Sequence, residues 1–309
     1  MVFVIFIRKY YKMERIDIVL PYVNGLDPEW QKIHNIYRKD IDYTRFDGHD
    51  ILKYVLRSID VNLPWVNKVH LLVMQESQIP EYINRENVHI VFHKDFIPEE
   101  HLPTFNSTTI EMYLWNIPEL SEYFIYINDD IVFNNELPHL FFFSNGMLPL
   151  TTISPTYYSK ETQKKGHFKS FYKSVKLAAK DVDINIFPDN YLLRPGHGSS
   201  VFKKTYLKKA YEAYKLEIET SITKFRDENN INQYFLSLYQ FFNSLSLMKH
   251  KEYYYIQVID KNIGKIEKIL SSPIPELCLN DVENTTVEDK IKLQKLLKKK
   301  FCKISKYEK

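Results

Sequence analysis

The residues of this sequence best suited to chemistry are short acidic groups, one histidine between glycines and a few arginines. Asn128-Asp129-Asp130 directly follows the apolar run of residues 123–127. Adjacent carboxylates make a hard oxygen site for Mg²⁺ or Mn²⁺. Such a metal commonly bridges a diphosphate and neutralises charge that develops during transfer. The plainer alternative is a β-turn with solvated side chains. Asp17, Asn24 and Asp27 belong to a first apolar run and the loop after it. A buried, unpaired Asp costs on the order of several kcal/mol, so Asp17 needs a partner, a metal or exposure.

His197 stands between Gly196 and Gly198. Glycine on both sides permits unusual backbone angles and close approach of a ligand. An imidazole there can take a proton from a hydroxyl near neutral pH; the alternative is a loop histidine in water. Arg226 can fork onto a phosphate, or pair with Asp227 or Glu228. Cys278 reads as a small core residue.

Strands and helices must position these groups. Residues 16–23 are β-branched and apolar and end at Asn24-Gly25, a turn dipeptide. Residues 68–74, 88–92 and 123–127 read as further buried strands. Between them, residues 50–61 place Ile51, Leu52, Val55, Leu56 and Ile59 on one helical face, with Asp50 as N-cap. Thr108 and Glu111 have capping-box spacing and open a helix that Pro118 stops. Strands alternating with helices predict an α/β fold with a mostly parallel, Rossmann-like sheet. Ligands in such sheets sit outside the carboxyl ends of strands, where both acidic segments fall. Beyond residue 150 the spacing predicts helices over 168–180, 203–217 and 228–243 and a strand over 253–259. This second half is expected to be a helical lobe packed on the first.

Composition narrows the function. The 309 residues include two cysteines and seven glycines. Two cysteines exclude a disulfide scaffold and a four-cysteine zinc site. No G-x-G-x-x-G or Walker-type G-x-x-x-x-G-K occurs, so the two commonest nucleotide-binding signatures are absent. The net charge of +3 conceals a basic stretch at residues 290–309 with nine Lys and one Glu, which leaves the remainder at −5. Residues 286–306 read as a helix with Leu293, Leu296, Leu297, Phe301 and Ile304 on one face. A basic amphipathic helix at 286–309 suits peripheral contact with an anionic membrane; docking on the core is the alternative. Nucleic acid is not expected, because the basic stretch lacks interleaved aromatics. The apolar run at residues 2–7 is too short for a membrane span or a signal segment. It reads either as a buried edge strand or as an extension upstream of a start at Met13; residues 1–15 are assigned as a short extension, residues 16–285 as one catalytic domain, and the expected compartment is the cytoplasm, at most peripheral on the inner membrane face.

Four ordered blocks resemble the Stealth family, bacterial capsular polysaccharide phosphotransferases similar to the catalytic subunit of animal N-acetylglucosamine-1-phosphotransferase. The first is IDIVLPYVNGLDPEW at 16–30. The second begins at RFDGHD, residue 45, and runs with one break through LPTFNST to FIYINDD at 130. The third comprises PGHGSSVFKK and TKFRDENNINQYF within 195–235. The fourth is ELCLNDVE at 276–283. Two departures stand out. Tyr22 replaces a usual Trp, and Met74-Gln75-Glu76-Ser77-Gln78 replaces a Thr-(Asp/Asn)-Gly-Gln pattern.

The resemblance implies a glycosyltransferase-A-like fold and transfer of a sugar 1-phosphate from a nucleotide-diphosphate sugar, such as a UDP-sugar, to a glycan hydroxyl. It carries His197, Arg226, Asp281 and Asp129 over as catalytic. Asp17, Asn24, Gly25, Asp27, Arg45, Arg57, Ser58, Asn106, Ser107 and Asn280 come over as donor-binding. Asp129, Asp130 and Asp281 would hold Mg²⁺ or Mn²⁺. The alternatives are a metal-dependent glycosyltransferase that releases a nucleoside diphosphate and a non-catalytic glycan-binding homologue.

Overall fold

The structure is a computed structural model that describes residues 14–39, 51–157, 159, 166–182 and 191–309. Arg45, the Asp50 cap and the apolar run at 2–7 lie outside the described residues. The strands are β1 (Ile16–Pro21), β2 (Val69–Val73), β3 (Val88–Phe92), β4 (Tyr123–Tyr126), β5 (Ile131–Phe133), β6 (Leu150–Tyr157), β7 (Tyr191–Pro195), β8 (Ser200–Lys203), β9 (Leu247–Lys249), β10 (Tyr253–Gln257) and β11 (Glu276–Asn280). The helices are α1 (Pro28–Tyr37), α2 (Ile51–Asn62), α3 (Ser107–Met112), α4 (Gly166–Ala178), α5 (Lys204–Ala213), α6 (Lys215–Ser221), α7 (Gln233–Phe242), α8 (Asp260–Leu270) and α9 (Val287–Lys300).

The main sheet has the order β3-β2-β1-β4-β8. Its first four strands are parallel and β8 is antiparallel to β4. Successive residues of β1 face opposite sides. Ile16, Ile18 and Leu20 join one apolar core, which also contains Leu52, Val55, Leu56 and Ile59 of α2. Val19 joins the other, with Leu72, Val91, Phe124 and Phe235. A strand buried on both faces reads as a continuous apolar run, which is why these strands were visible in sequence.

The direction of β8 decides the site. Because it runs antiparallel, its first residue, Ser200, pairs with the last residue of β4, Tyr126. The loop carrying His197 therefore reaches the edge where Asn128-Asp129-Asp130 emerges. A second small sheet, β10-β11-β5, completes the arrangement. Cys278 pairs with Ile131, and Leu279 N donates to Asp130 O at 2.8 Å. Asp281 thus arrives beside the same acidic loop.

The expected membrane face of the basic stretch is spent elsewhere. Leu293, Leu297 and Phe301 are buried in the main core, Leu296 packs against it, and only Ile304 of the five is exposed. Packing against α2 and α8 already removes that apolar area from water. Among the described residues, no helix is long and apolar enough to cross a membrane.

Candidate active site

Three chain segments converge at the carboxyl end of β4. Asp129 and Asp130 are half-buried at the turn after it. Burial first, then Asp130 and Asp281 nearby, push the Asp129 carboxyl up to about 7. Burial and Asp281 likewise raise Asp130 to about 6, against a hydrogen bond from the Cys278 thiol at 3.3 Å. Asp130 Oδ1 is buried and accepts no hydrogen bond. Crowded carboxylates with an unmatched oxygen are suited to a cation. Among the described residues no three His, Cys, Asp or Glu groups converge as a metal-holding set. The fit is therefore to a two-carboxylate site, as Mg²⁺ often uses when substrate phosphates and water supply the rest.

His197 sits on the loop before β8. Its Nδ1 is 3.3 Å from the Tyr234 hydroxyl, and its ring meets Tyr255 edge-on at 5.2 Å. Burial, with Arg194 and Arg226 nearby, lowers its pKa to about 4, so the imidazole is neutral at physiological pH. The loop is clamped from behind. Glu276, almost fully buried, accepts from Ser199 N at 2.9 Å and from Ser199 Oγ at 2.6 Å. A Cβ on Gly198 would lie 2.5 Å from Glu276 Oε2, and one on Gly196 would lie 2.8 Å from the Tyr253 ring. Both glycines are there for close approach of neighbouring side chains.

Arg226 donates to Ser107 Oγ at 2.6 Å. Its loop is pinned by Asn106, whose Nδ2 donates to Thr223 O at 3.1 Å, Phe225 O at 3.3 Å and Asn230 Oδ1 at 3.0 Å. Asn106 also caps α3. The helix cap is thus Asn106, and the capping-box reading of Thr108 and Glu111 was wrong. Glu111 instead reaches the start of α7, accepting from Gln233 N at 2.8 Å. Burial raises it to about 7 although Gln233, Arg226 and Tyr126 all favour its charged form. The capping spacing hid this residue, the principal group that sequence reasoning missed.

Several expected donor residues serve the fold. Asp17 is fully buried at the opposite, amino end of β1. It accepts from Asn67 Nδ2 (2.7 Å), Lys68 N (3.2 Å) and Ser121 N (2.8 Å) and meets His70 Nε2 at 3.0 Å. Those partners answer the cost of its burial. Arg57 forks onto Glu308, with Nε–Oε1 and Nη2–Oε2 both 2.8 Å, so its guanidinium is engaged within the fold. Ser58 is fully buried between Val55 O and Phe133 N. Asn106 is likewise buried and fully engaged.

Asn24, Gly25 and Asp27 do lie at the carboxyl end of β1. Asn24 Oδ1 accepts from Leu26 N, and Gly25 O accepts from Gln31 Nε2. Asp27 caps α1 through Glu29 N and accepts from Ser77 Oγ and Gln78 Nε2, both at 2.6 Å. The departing 74–78 segment is thus bonded into this loop. Asn280 donates to the Asp281 carbonyl at 3.0 Å. Asp281 Oδ2 pairs with Lys290 Nζ at 2.9 Å, while its Oδ1, like Asp130 Oδ1, is buried and accepts no hydrogen bond.

Residues 45–150 match the family description Stealth protein CR2, conserved region 2. The capsular polysaccharide phosphotransferase LcbA of Neisseria meningitidis is 33% identical over 71% of this chain, which spans 62% of that protein's length. The capsular polysaccharide phosphotransferase WcwK of Streptococcus pneumoniae is 29% identical over 96% of this chain and 100% of its own. Among solved structures, the galactosyltransferase LgtC in complex with donor and acceptor sugar analogues covers 92% of this chain and 95% of its own, at 11% identity and a TM-score of 0.43.

Proposed function

The chain belongs to the Stealth family, and from that premise we propose that it transfers a sugar 1-phosphate from a nucleotide-diphosphate sugar to a hydroxyl of a capsular or surface glycan. The observation that carries the reading is the convergence of His197, Arg226 and the Asp129–Asp130 pair at one strand end. Phosphoryl transfer asks the protein mainly for positioning and charge neutralisation.

The acceptor oxygen attacks the phosphorus bonded to the sugar. The bond from that phosphorus to the bridging oxygen breaks, and a nucleoside monophosphate leaves with the bond's electron pair. The hydroxyl proton passes to His197. With Nδ1–H donating to Tyr234, Nε2 is left as the acceptor. Its low pKa belongs to the ligand-free site, and a bound diphosphate anion raises it towards the range useful for a base. Arg226, steadied by Ser107, forks onto phosphoryl oxygens. Mg²⁺ or Mn²⁺ on Asp129 and Asp130 would neutralise charge on the diphosphate. Asn24, Gly25 and Asp27 line the donor side. Contact with an anionic membrane would rest on lysine charge alone, so binding to anionic vesicles should vanish in high salt.

The deciding experiment supplies UDP-N-acetylglucosamine and related UDP-sugars with a capsule-like acceptor. UMP release is expected, with activity lost in EDTA and restored by Mg²⁺ or Mn²⁺. UDP release would instead identify a glycosyltransferase, and full activity in chelator would remove the metal.

A further inference from the structure

Beside the proposed base, β10 presents an aromatic ring that the fold does not cover. Successive side chains of a strand face opposite ways. Tyr254 and Ile256 pack into the main core. Tyr253 and Tyr255 face the other way, towards the His197 loop. Tyr253 closes on Gly196 and Gly198, so its ring is taken up by packing. Tyr255 meets the imidazole at 5.2 Å, with the ring planes 66° apart, and is still 38% exposed. Its strand neighbour is Cys278, whose thiol donates to Asp130. Asp130 and Arg194 are both near enough to act on the Tyr255 phenol. The ring therefore lies between the base and the acidic turn. Gln257 is exposed on the same face, two residues or about 6–7 Å further along the strand. An open aromatic face beside a carboxamide suits a hydroxylated ring. Its C–H face packs on the aromatic, and its hydroxyls bond to the amide.

Sheet order says which substrate belongs there. β1 and β8 flank β4 on opposite sides. The expected donor residues Asn24, Gly25 and Asp27 follow β1, and His197 precedes β8. In phosphoryl transfer the attacking and leaving oxygens are roughly in line across the phosphorus. With the phosphorus at the Asp129–Asp130 turn, the nucleotide leaves towards β1. The attacking hydroxyl then arrives from the β8 side, where Tyr255 is exposed.

We propose that Tyr255 is the platform of an acceptor subsite, on which a neutral sugar ring of the glycan stacks, with Gln257 as its hydrogen-bonding partner. One hydroxyl of that ring is thereby presented to His197. The proposal rests on the reading of the site as a sugar-phosphate transferase and names where its acceptor binds. Tyr255 sets acceptor affinity, while His197 takes the proton.

The test is binding of four probes, the methyl glycosides of glucose, galactose, mannose and N-acetylglucosamine, to the full chain with UMP and Mg²⁺ present. Saturation-transfer NMR titrations give the affinities. Wild type should bind at least one glycoside. Tyr255→Leu should weaken that binding by at least ~10-fold, the scale of one lost aromatic contact. Tyr255→Phe keeps the ring and should stay within about threefold of wild type. The glycoside that binds best then serves as acceptor with UDP-N-acetylglucosamine, and its KM should rise in Tyr255→Leu by the same factor. A fall in kcat with acceptor KM unchanged would reduce Tyr255 to a support for the His197 ring and overturn the proposal. Weakened UMP binding with glycoside binding intact would make the ring a nucleotide platform and overturn it too. So would a wild-type chain that binds none of the four. Release of UDP in place of UMP would instead refute the reaction class, and the glycoside titrations would still decide the subsite.

Discussion

His197 is half-buried among Tyr234, Tyr255, Arg194 and Arg226, and each neighbour favours its neutral form or fixes its ring. His197→Ala should lower kcat by at least ~10², the usual size of a general-base contribution, with an unchanged thermal melt. Near-normal turnover would exclude the histidine as the base. At this scale the sequence was legible where a polar residue follows a strand end or sits between glycines, as Asp129, Asp130 and His197 do. It was not legible for Asp17, Arg57, Ser58 and Asn106. A ligand and a buried partner both call for a distinctive polar residue, and its identity alone does not say which. Asp17 has His70 and three amide N–H donors from chain segments far from it in sequence. Glu111 shows the converse error, since a spacing suited to a local cap belongs to a contact with Gln233.

The loop before β8 is the element on which the proposed base depends. Gly198→Ala drives a Cβ against the Glu276 carboxylate and the Tyr253 ring. Its kcat should fall by at least ~10-fold, since displacement of a base by about 1 Å can cost ~100-fold. Gly264→Ala is the matched control. It lies inside α8 with nothing within 4 Å of the added Cβ. That variant should keep full activity and gain about 0.5–1 kcal/mol in chemical denaturation. Equal turnover of the two variants would refute the clamp. The four parallel strands of the main sheet were readable as apolar runs, whereas β8 was not read as a strand. Its reversed direction was not readable either, because strand direction depends on pairing partners and leaves no mark in the apolar pattern. The short strands β5 and β9 are three residues each and escape any period-based reading.

The whole molecule is closed by its last described residues. Arg57 of α2 forks onto Glu308 and also donates to Phe301 O at 3.0 Å. Asn84 N takes the Tyr307 carbonyl at 2.8 Å, and Lys309 N takes that of Tyr82 at 2.8 Å. Breaking the buried pair with Arg57→Ala should cost about 3–5 kcal/mol in urea denaturation. Burial raises the Glu308 pKa, but Arg57 and Ser305 outweigh it and hold the carboxyl below its ordinary 4.5. The clamp's contribution is therefore complete above about pH 4.5 and lost as the pH falls through the lower folded value. Wild type should lose more stability than Arg57→Ala across that acid window, and parallel curves would deny the linkage. Partners 251 residues apart are invisible to any local pattern, so the basic stretch read as a membrane helix when its apolar side belongs to the core.

The union of Lys290 with Asp281, and of Glu308 with Arg57, also sets an order in time. A chain emerging from the ribosome displays every motif by residue 283, yet the helix that steadies Asp281 and the residue that holds Arg57 are still unmade. Until they arrive, Asp281 and Arg57 lack these partners, and under the proposed function the nascent chain should not turn over donor. Chains stopped before residue 286 should be inactive in the proposed transfer assay, and chains that include Glu308 active.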